Sequence, residues 1–284
     1  MKFRSLRILL VLLVVLVAVA LIYTGIQKRP KSSKPFANME FESIEIKAKD
    51  SLCVFKKIDG GWKIVTPIEY PVDTSVFNSF LNGLKNLELG EVISNRPEKY
   101  ADFEVDESGS PQSGTKVKLC SARDTSSLIL GKMAGDFEHW WLRLPPKPDV
   151  YLSKGLSKHI IDKGPDEWRD KTILAFNRAD LKEIELNGQK IVRVDTLWLK
   201  DEKPMETFKT DDLLNLLSSL KADGFSKGEI EPEFTVKLTF ELGEKEILFI
   251  GKKTDNQYPA KLDGNPTIFL LNSWKVDRLT EIMR

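Results

Sequence analysis

The sequence predicts an α+β protein: an N-terminal transmembrane helix followed by two similar α+β lobes with mainly antiparallel sheets, related by internal duplication. Three observations predict it. An apolar run near the start matches a bilayer in length. Beyond it, short alternating strand patterns separated by turn residues are interspersed with stretches of helical periodicity. Landmark residues then recur at fixed spacing. Trp62 and Trp198 are 136 positions apart, as are Leu84 and Leu220, while Gly131 and Gly251 are 120 apart.

The apolar run comes first. Lys2, Arg4 and Arg7 precede Ile8–Tyr23, an unbroken apolar stretch of 16 residues that Thr24, Gly25 and Ile26 extend to 19. At about 1.5 Å per residue it measures roughly 28 Å, close to a hydrocarbon core of about 30 Å. Residues 1–27 are therefore expected to form a cytoplasmic tail and transmembrane anchor. A cleaved signal peptide is the alternative, because Ala18-Val19-Ala20 has the small-x-small form of a cleavage site. The apolar run continues past that site, and Tyr23 suits the membrane interface. Lys28, Arg29, Lys31 and Lys34 follow the span, so basic residues flank both ends and the positive-inside rule does not orient it. A single span before one large body is the signal-anchor arrangement. It predicts a single-pass membrane protein with its body outside the cytoplasm; a cytoplasm-facing tethered adaptor is the other topology.

The charge balance has the same boundary. The whole chain carries 43 Lys+Arg and 42 Asp+Glu. Seven of the basic residues and none of the acids fall in the first 34 positions, which leaves 36 basic against 42 acidic residues beyond them. An acidic body excludes the basic stripe expected of a nucleic-acid binder. A charged fraction of 30% beside 41% hydrophobic residues excludes a disordered chain and a multi-span membrane protein.

A polar linker is expected over residues 28–39, a first repeat over 40–175 and a second over 176–284. The first repeat opens with FESIEIKA and SLCVFKKI, the second with LKEIELNG and KIVRVDTLWLK. A helix follows in each. In the first, Asp73 or Thr74 is the N-cap candidate and Val76, Phe77, Phe80, Leu81, Leu84 and Leu87 form the apolar face. In the second, Thr210 or Asp211 is the cap candidate before Leu213, Leu214, Leu216, Leu217 and Leu220. Strands TKVKLC and FTVKLTF come next, then SLILGK and EILFIGKK, then a strand pair and a closing helical segment. The expected order is β-β-α-β-β-β-β-α, given twice. The polar stretch from Arg96 to Gly114 accounts for the shorter spacing of the later landmarks.

Several of these segments resemble the domain-of-unknown-function 4340 family: the basic head and apolar span, DGGWKIVTP (Asp59–Pro67), PVD (Pro71–Asp73), LILGK (Leu128–Lys132), VYLS (Val150–Ser153) and EWRDKTIL (Glu167–Leu174). The resemblance implies a bacterial, membrane-tethered extracytoplasmic protein, some of whose relatives are associated with ABC-type transporters or gliding-motility machinery. It carries over no catalytic residues. The second copy departs from the pattern, since Trp198 is not followed by the TP and PVD elements.

Chemistry is sparse in the sequence. His139 and His159 stand apart, and no HExxH, GxSxG or metal-spaced His/Cys cluster occurs. Gly131-Lys132 and Gly251-Lys252 lack the rest of a phosphate loop and read as strand-end turns. No cofactor or metal is expected. Cys53 and Cys120 are either a disulfide formed in an oxidising compartment or two free thiols. Trp140 and Trp141 are adjacent in a strand, so their side chains point to opposite faces, and one of them is a candidate interaction residue. These readings point to a non-catalytic accessory protein with a membrane contact through Ile8–Ile26 and a protein partner in the envelope. The rival is a glycan hydrolase with two carboxylates in an interlobe cleft.

Overall fold

The computed structural model describes residue 13 and residues 15–17, 33–48, 51–107 and 113–283. Among the described residues no helix is long and apolar enough to cross a membrane. The anchor expected over Ile8–Ile26 lies, apart from Leu13 and residues 15–17, outside the described residues. The chain divides into two compact units, Met1–Trp168 and Arg169–Arg284. Residues 169–175, which the repeat pattern places in the first copy, belong to the second: Ile173 and Leu174 are buried in its core.

The first unit contains strands β1 (Ser43–Ala48), β2 (Ser51–Ile58), β3 (Gly61–Thr66) and β4 (Tyr70–Pro71), helix α1 (Thr74–Lys85) and strand β5 (Glu88–Ser94). A one-turn helix α2 (Tyr100–Phe103) precedes β6 (Thr115–Cys120), β7 (Thr125–Met133), β8 (Trp140–Arg143) and β9 (Val150–Lys154), and short helices α3 (Lys158–Ile161) and α4 (Pro165–Trp168) close the unit. The strands form one sheet in the order β4-β3-β2-β1-β6-β7-β8-β9-β5. The second unit repeats this plan with β10 (Leu181–Leu186), β11 (Gln189–Val194), β12 (Leu197–Lys200), β13 (Lys203–Pro204), α5 (Thr207–Ser218), β14 (Gly224–Ser226), β15 (Pro232–Phe240), β16 (Lys245–Gly251), β17 (Gln257–Leu262), β18 (Ile268–Asn272) and α6 (Ser273–Met283). Its sheet runs β13-β12-β11-β10-β15-β16-β17-β18-β14, position for position the order of the first. The duplication read from the spacing is thus a duplication of topology.

Each repeat holds three more strands than the sequence pattern gives. Two precede the helix: β3 and β4 in the first unit, β12 and β13 in the second. Tight turns create them. Asp59 and Gly60 both take positive φ, 51° and 81°, which closes the β2–β3 hairpin in two residues, and Asp195 at φ 55° breaks KIVRVDTLWLK into β11 and β12. The third strand, β5 or β14, follows the helix and pairs at the far edge with β9 or β18. Each long helix therefore connects the two opposite edges of its own sheet, and its apolar stripe is buried against that sheet. In α1 that stripe is Phe77, Phe80 and Leu84, and the Asp73 carboxylate caps the helix by accepting from the Ser75 and Val76 amides at 2.9 and 3.0 Å.

The second helix begins one turn earlier than the cap candidates Thr210 and Asp211. Its N-cap is Glu206, and the Thr210 hydroxyl donates to the Glu206 carbonyl at 3.1 Å, so Thr210 sits inside the first turn. The start of α5 lies 133 residues after the start of α1. Leu84 therefore matches Leu217, and Leu87 matches Leu220; all four are at most 4% exposed. Phe77 of the first unit becomes Thr210 of the second. Accordingly the first core holds an aromatic cluster, with Phe55 4.9 Å from Phe77 and 5.2 Å from Trp168 between ring centroids, whereas under α5 the second packs Leu213, Leu217, Leu238 and Leu248, its rings Trp198, Phe240 and Phe269 coming from strands.

The linker expected over 28–39 is shorter in its described part. Ser33 exchanges both backbone hydrogen bonds with Leu89 of β5, Lys34 pairs with Glu88 at 3.1 Å, and Phe36 is buried in the first core. Phe36 supplies the reason: an aromatic side chain in the linker has a core within reach.

Candidate binding groove on the second unit

Helices α5 and α6 lie on the same face of the second sheet. Leu213, Leu214 and Leu217 of the one, and Val276, Leu279 and Ile282 of the other, point into the core. Between the helices an open groove of about 730 Å³ remains. Leu216 and Leu220 give it apolar floor, and Trp274, 57% exposed, lines it. Two of its three cations, Lys275 and Arg278, are already paired. Lys275 donates to both Asp223 carboxylate oxygens at 2.9 and 2.8 Å and to the Lys221 carbonyl at 2.7 Å. Arg278 donates to Asp212 at 2.5 Å, a bond that raises the Arg278 pKa above its ordinary value. Asp277 accepts from the Tyr258 hydroxyl at 3.1 Å. The groove thus combines an exposed aromatic side chain, an apolar floor and charges held by their own partners.

The tryptophans singled out in the sequence are packing residues of the first unit. Trp140 and Trp141 do point to opposite faces, and both are half-buried. Trp140 lies edge-on to His159 at 5.9 Å, and Trp141 packs on Phe103 at 4.8 Å. The exposed tryptophan is Trp274, which sequence reasoning passed over. A signal for it exists: at 100° per residue, Trp274 falls about 140° away from Leu279, the centre of the stripe that Val276, Leu279 and Ile282 define.

Cys53 and Cys120 are both free. They lie on β2 and β6, which β1 separates, and alternation puts Cys53 on the face of Phe55 and Cys120 on the face of Lys116 and Lys118. The disulfide considered from sequence is therefore not formed, since bonded cysteines need Cα atoms within about 7 Å and Cβ vectors that converge. Burial pushes the Cys53 thiol up to about 11. Gly131 and Gly251 are not turn residues either. Gly131 lies inside β7 and Gly251 ends β16, each one step beyond the matching pairs Leu130–Leu142 and Ile250–Ala260.

Among the described residues a few carboxyl groups are shifted, each by its local surroundings. The Arg143 hydrogen bond holds the Glu107 carboxyl below its usual range. Asp136 is held at about 2, first by the backbone amides of Glu138 and His139 and then by the His139 ring. Burial, helped by Glu244, raises Glu246. Among the described residues no group of three or more His, Cys, Asp or Glu side chains converges as a metal site.

Fold and groove together define a class: a duplicated, antiparallel α+β protein of two nine-stranded sheets, each crossed by one long helix. The chain belongs to the family described as Domain of unknown function (DUF4340), whose model matches residues 62–231, more than half of the sequence. That match runs from β3 of the first unit to the turn before β15 of the second. No curated protein and no solved structure matches the chain.

Proposed function

We propose that this protein is a non-catalytic, membrane-anchored extracytoplasmic accessory protein that binds a protein partner in the bacterial envelope, in a transporter of the ABC type or a comparable complex. The observation that carries the binding role is the α5–α6 groove, where Trp274 is left 57% exposed beside Lys275 and Arg278, both already paired. Large aromatic side chains at the centre of such surfaces supply most of the binding energy in protein complexes. The anchor rests on the length of the apolar run Ile8–Ile26. Six residues, 27–32, separate that run from Ser33, whose backbone is paired to β5. At full extension they reach about 20 Å, so the β5 edge is the part of the first unit tethered nearest the span.

The test is site-specific photocrosslinking in intact cells, with a benzophenone side chain at position 274 of the full chain. The expected outcome is one dominant envelope partner, captured from the extracytoplasmic side and lost with Leu216→Glu. A chain that yields no adduct, or adducts only with cytoplasmic proteins, overturns the reading.

A further inference from the structure

The two units differ most in one connection. Between β5 and β6 the first unit inserts residues 95–114, whereas between β14 and β15 the second has only residues 227–231. In the first unit the inserted residues Tyr100–Val105 cover the sheet face opposite α1. Val105 is fully buried there with Ile129 and Val150, and Tyr100, Phe103 and Trp141 pack around them. Arg143 fixes the segment: it donates to the Val105 carbonyl at 3.0 Å and to Glu107 at 2.8 Å, and lies 4.5 Å from the centre of the Tyr100 ring. The Tyr100 hydroxyl donates to the Pro148 carbonyl at 2.9 Å.

The strand registers carry this surface onto the second unit residue by residue. Leu130–Leu142 and Leu142–Tyr151 in the first sheet match Ile250–Ala260 and Ala260–Phe269 in the second. One step along each strand, Ile129, Arg143 and Val150 match Phe249, Lys261 and Ile268; two residues before Val150 and Ile268 stand Pro148 and Pro266. Phe249, Lys261, Ile268 and Pro266 all line one groove of about 560 Å³. It lies on the face of the second sheet opposite α5 and α6, since Leu248 and Ile250 point to the helices and Phe249 alternates away from them. Among the described residues Lys261 has no ion-pair partner.

We propose that this groove binds a segment of a partner protein that carries an aromatic side chain, an aliphatic side chain and a carboxylate in the spacing of Tyr100, Val105 and Glu107. The aliphatic side chain seats on the half-buried Phe249 and Ile230, the aromatic hydroxyl reaches the Pro266 carbonyl, and the carboxylate meets Lys261. Glu229 and Asp263 line the same groove, so a segment with one carboxylate fits and a polyacidic one is repelled. The proposal is independent of the α5–α6 groove and survives its failure.

The probe is a synthetic peptide copying residues 99–107 with D102N, E104Q and D106N, titrated onto the full chain in detergent. Saturable binding is expected, weakened roughly fivefold or more by Lys261→Glu. A peptide that also carries Lys in place of Glu107 should recover affinity for the Lys261→Glu protein and not for the parent. Phe249→Ala should weaken both. Absence of saturable binding, or binding indifferent to Lys261→Glu, overturns the proposal. A dimer that forms without peptide and dissociates with Lys261→Glu also overturns it, by assigning the groove to a second copy.

Discussion

Gly131 and Gly251 occupy the same register position in the two sheets and are under different pressure. A Cβ on Gly131 would collide with the Phe103 carbonyl oxygen and the Val105 side chain, because the inserted segment crosses β7 there. A Cβ on Gly251 would meet the Pro259 ring at 3.0 Å and the Glu231 carbonyl oxygen at 3.2 Å, contacts that small shifts relieve. Overpacking costs about 1–3 kcal/mol. Gly131→Ala should fall at or above the top of that range and Gly251→Ala at or below the bottom. Urea unfolding of the two variants checks the difference; equal losses would mean that the insertion does not press on β7.

The aromatic cluster should make the first unit sensitive at Trp168. Its side chain is fully buried, 5.2 Å from Phe55 and 5.5 Å from Phe80 between ring centroids. Trp168→Ala should cost about 3–5 kcal/mol. Since α4 closes the first sheet, the loss should appear as a lower melting temperature of the first unit, with hydrogen exchange in β15 and β16 unchanged.

The thiols should behave as two independent groups. Cys53 is buried and its thiolate is disfavoured by desolvation, whereas Cys120 is partly accessible at the end of β6. At pH 8 a small maleimide should label Cys120 first and Cys53 only on unfolding. Cys120→Ser should shift stability by less than about 0.5 kcal/mol even in oxidising buffer, and a larger loss there would indicate a bond between them.

Much of the architecture was legible because the copies share spacing. Trp62 and Trp198 both sit at the second position of equivalent strands, and the 120-residue step from Gly131 to Gly251 is the true register. Asp73 announces its helix through a carboxylate that binds two amides. What stayed hidden has local causes. The hairpin strands around Trp62 and Trp198 are two to six residues long, too short for periodicity to register. Thr210 looks like a cap and is instead a buried first-turn residue, which displaced the expected Leu84–Leu220 match by one turn. The peptide groove could not be read at all, because it depends on knowing that Tyr100, Val105 and Glu107 lie on a sheet face and that the shorter residues 227–231 cross the equivalent face with only Ile230 and its neighbours.

The β7–β8 connection should titrate at low pH. Asp136 accepts from the Glu138 and His139 amides at 3.0 Å each and from the His139 ring at 2.5 Å. Its folded pKa lies below the unfolded value, so the contribution of the ionised form is complete above about pH 4 and disappears as pH falls through about 2. The carboxyl resonance of Asp136 should therefore titrate with a midpoint near 2. Asp136→Asn should accelerate amide exchange at Glu138 and His139 at neutral pH, without reaching the core strands.

Arg143 offers the most informative substitution, because Lys261 is already its replacement in the second unit. The guanidinium makes two hydrogen bonds in divergent directions and stacks on Tyr100, a geometry that a lysine ammonium on a flexible stem does not reproduce. Its side chain is 7% exposed, whereas Glu107 is 47% exposed. Arg143→Lys therefore strands little charge: Glu107 can turn to water, and the main loss is the bond to the Val105 carbonyl and the ring contact. Bonds to charged donors contribute about 1.5–3 kcal/mol, so a loss of about 1–2 kcal/mol is expected. The readout that separates clamping from general stability is local. Residues 97–107 should become the first site of proteolytic cleavage, and the fluorescence of Trp141, which rests on Phe103, should shift before global unfolding. If the segment stays protected in Arg143→Lys, then burial of Val105 on Ile129 and Val150 suffices to hold it. Partner binding at the equivalent surface of the second unit would then depend on apolar contact more than on Lys261.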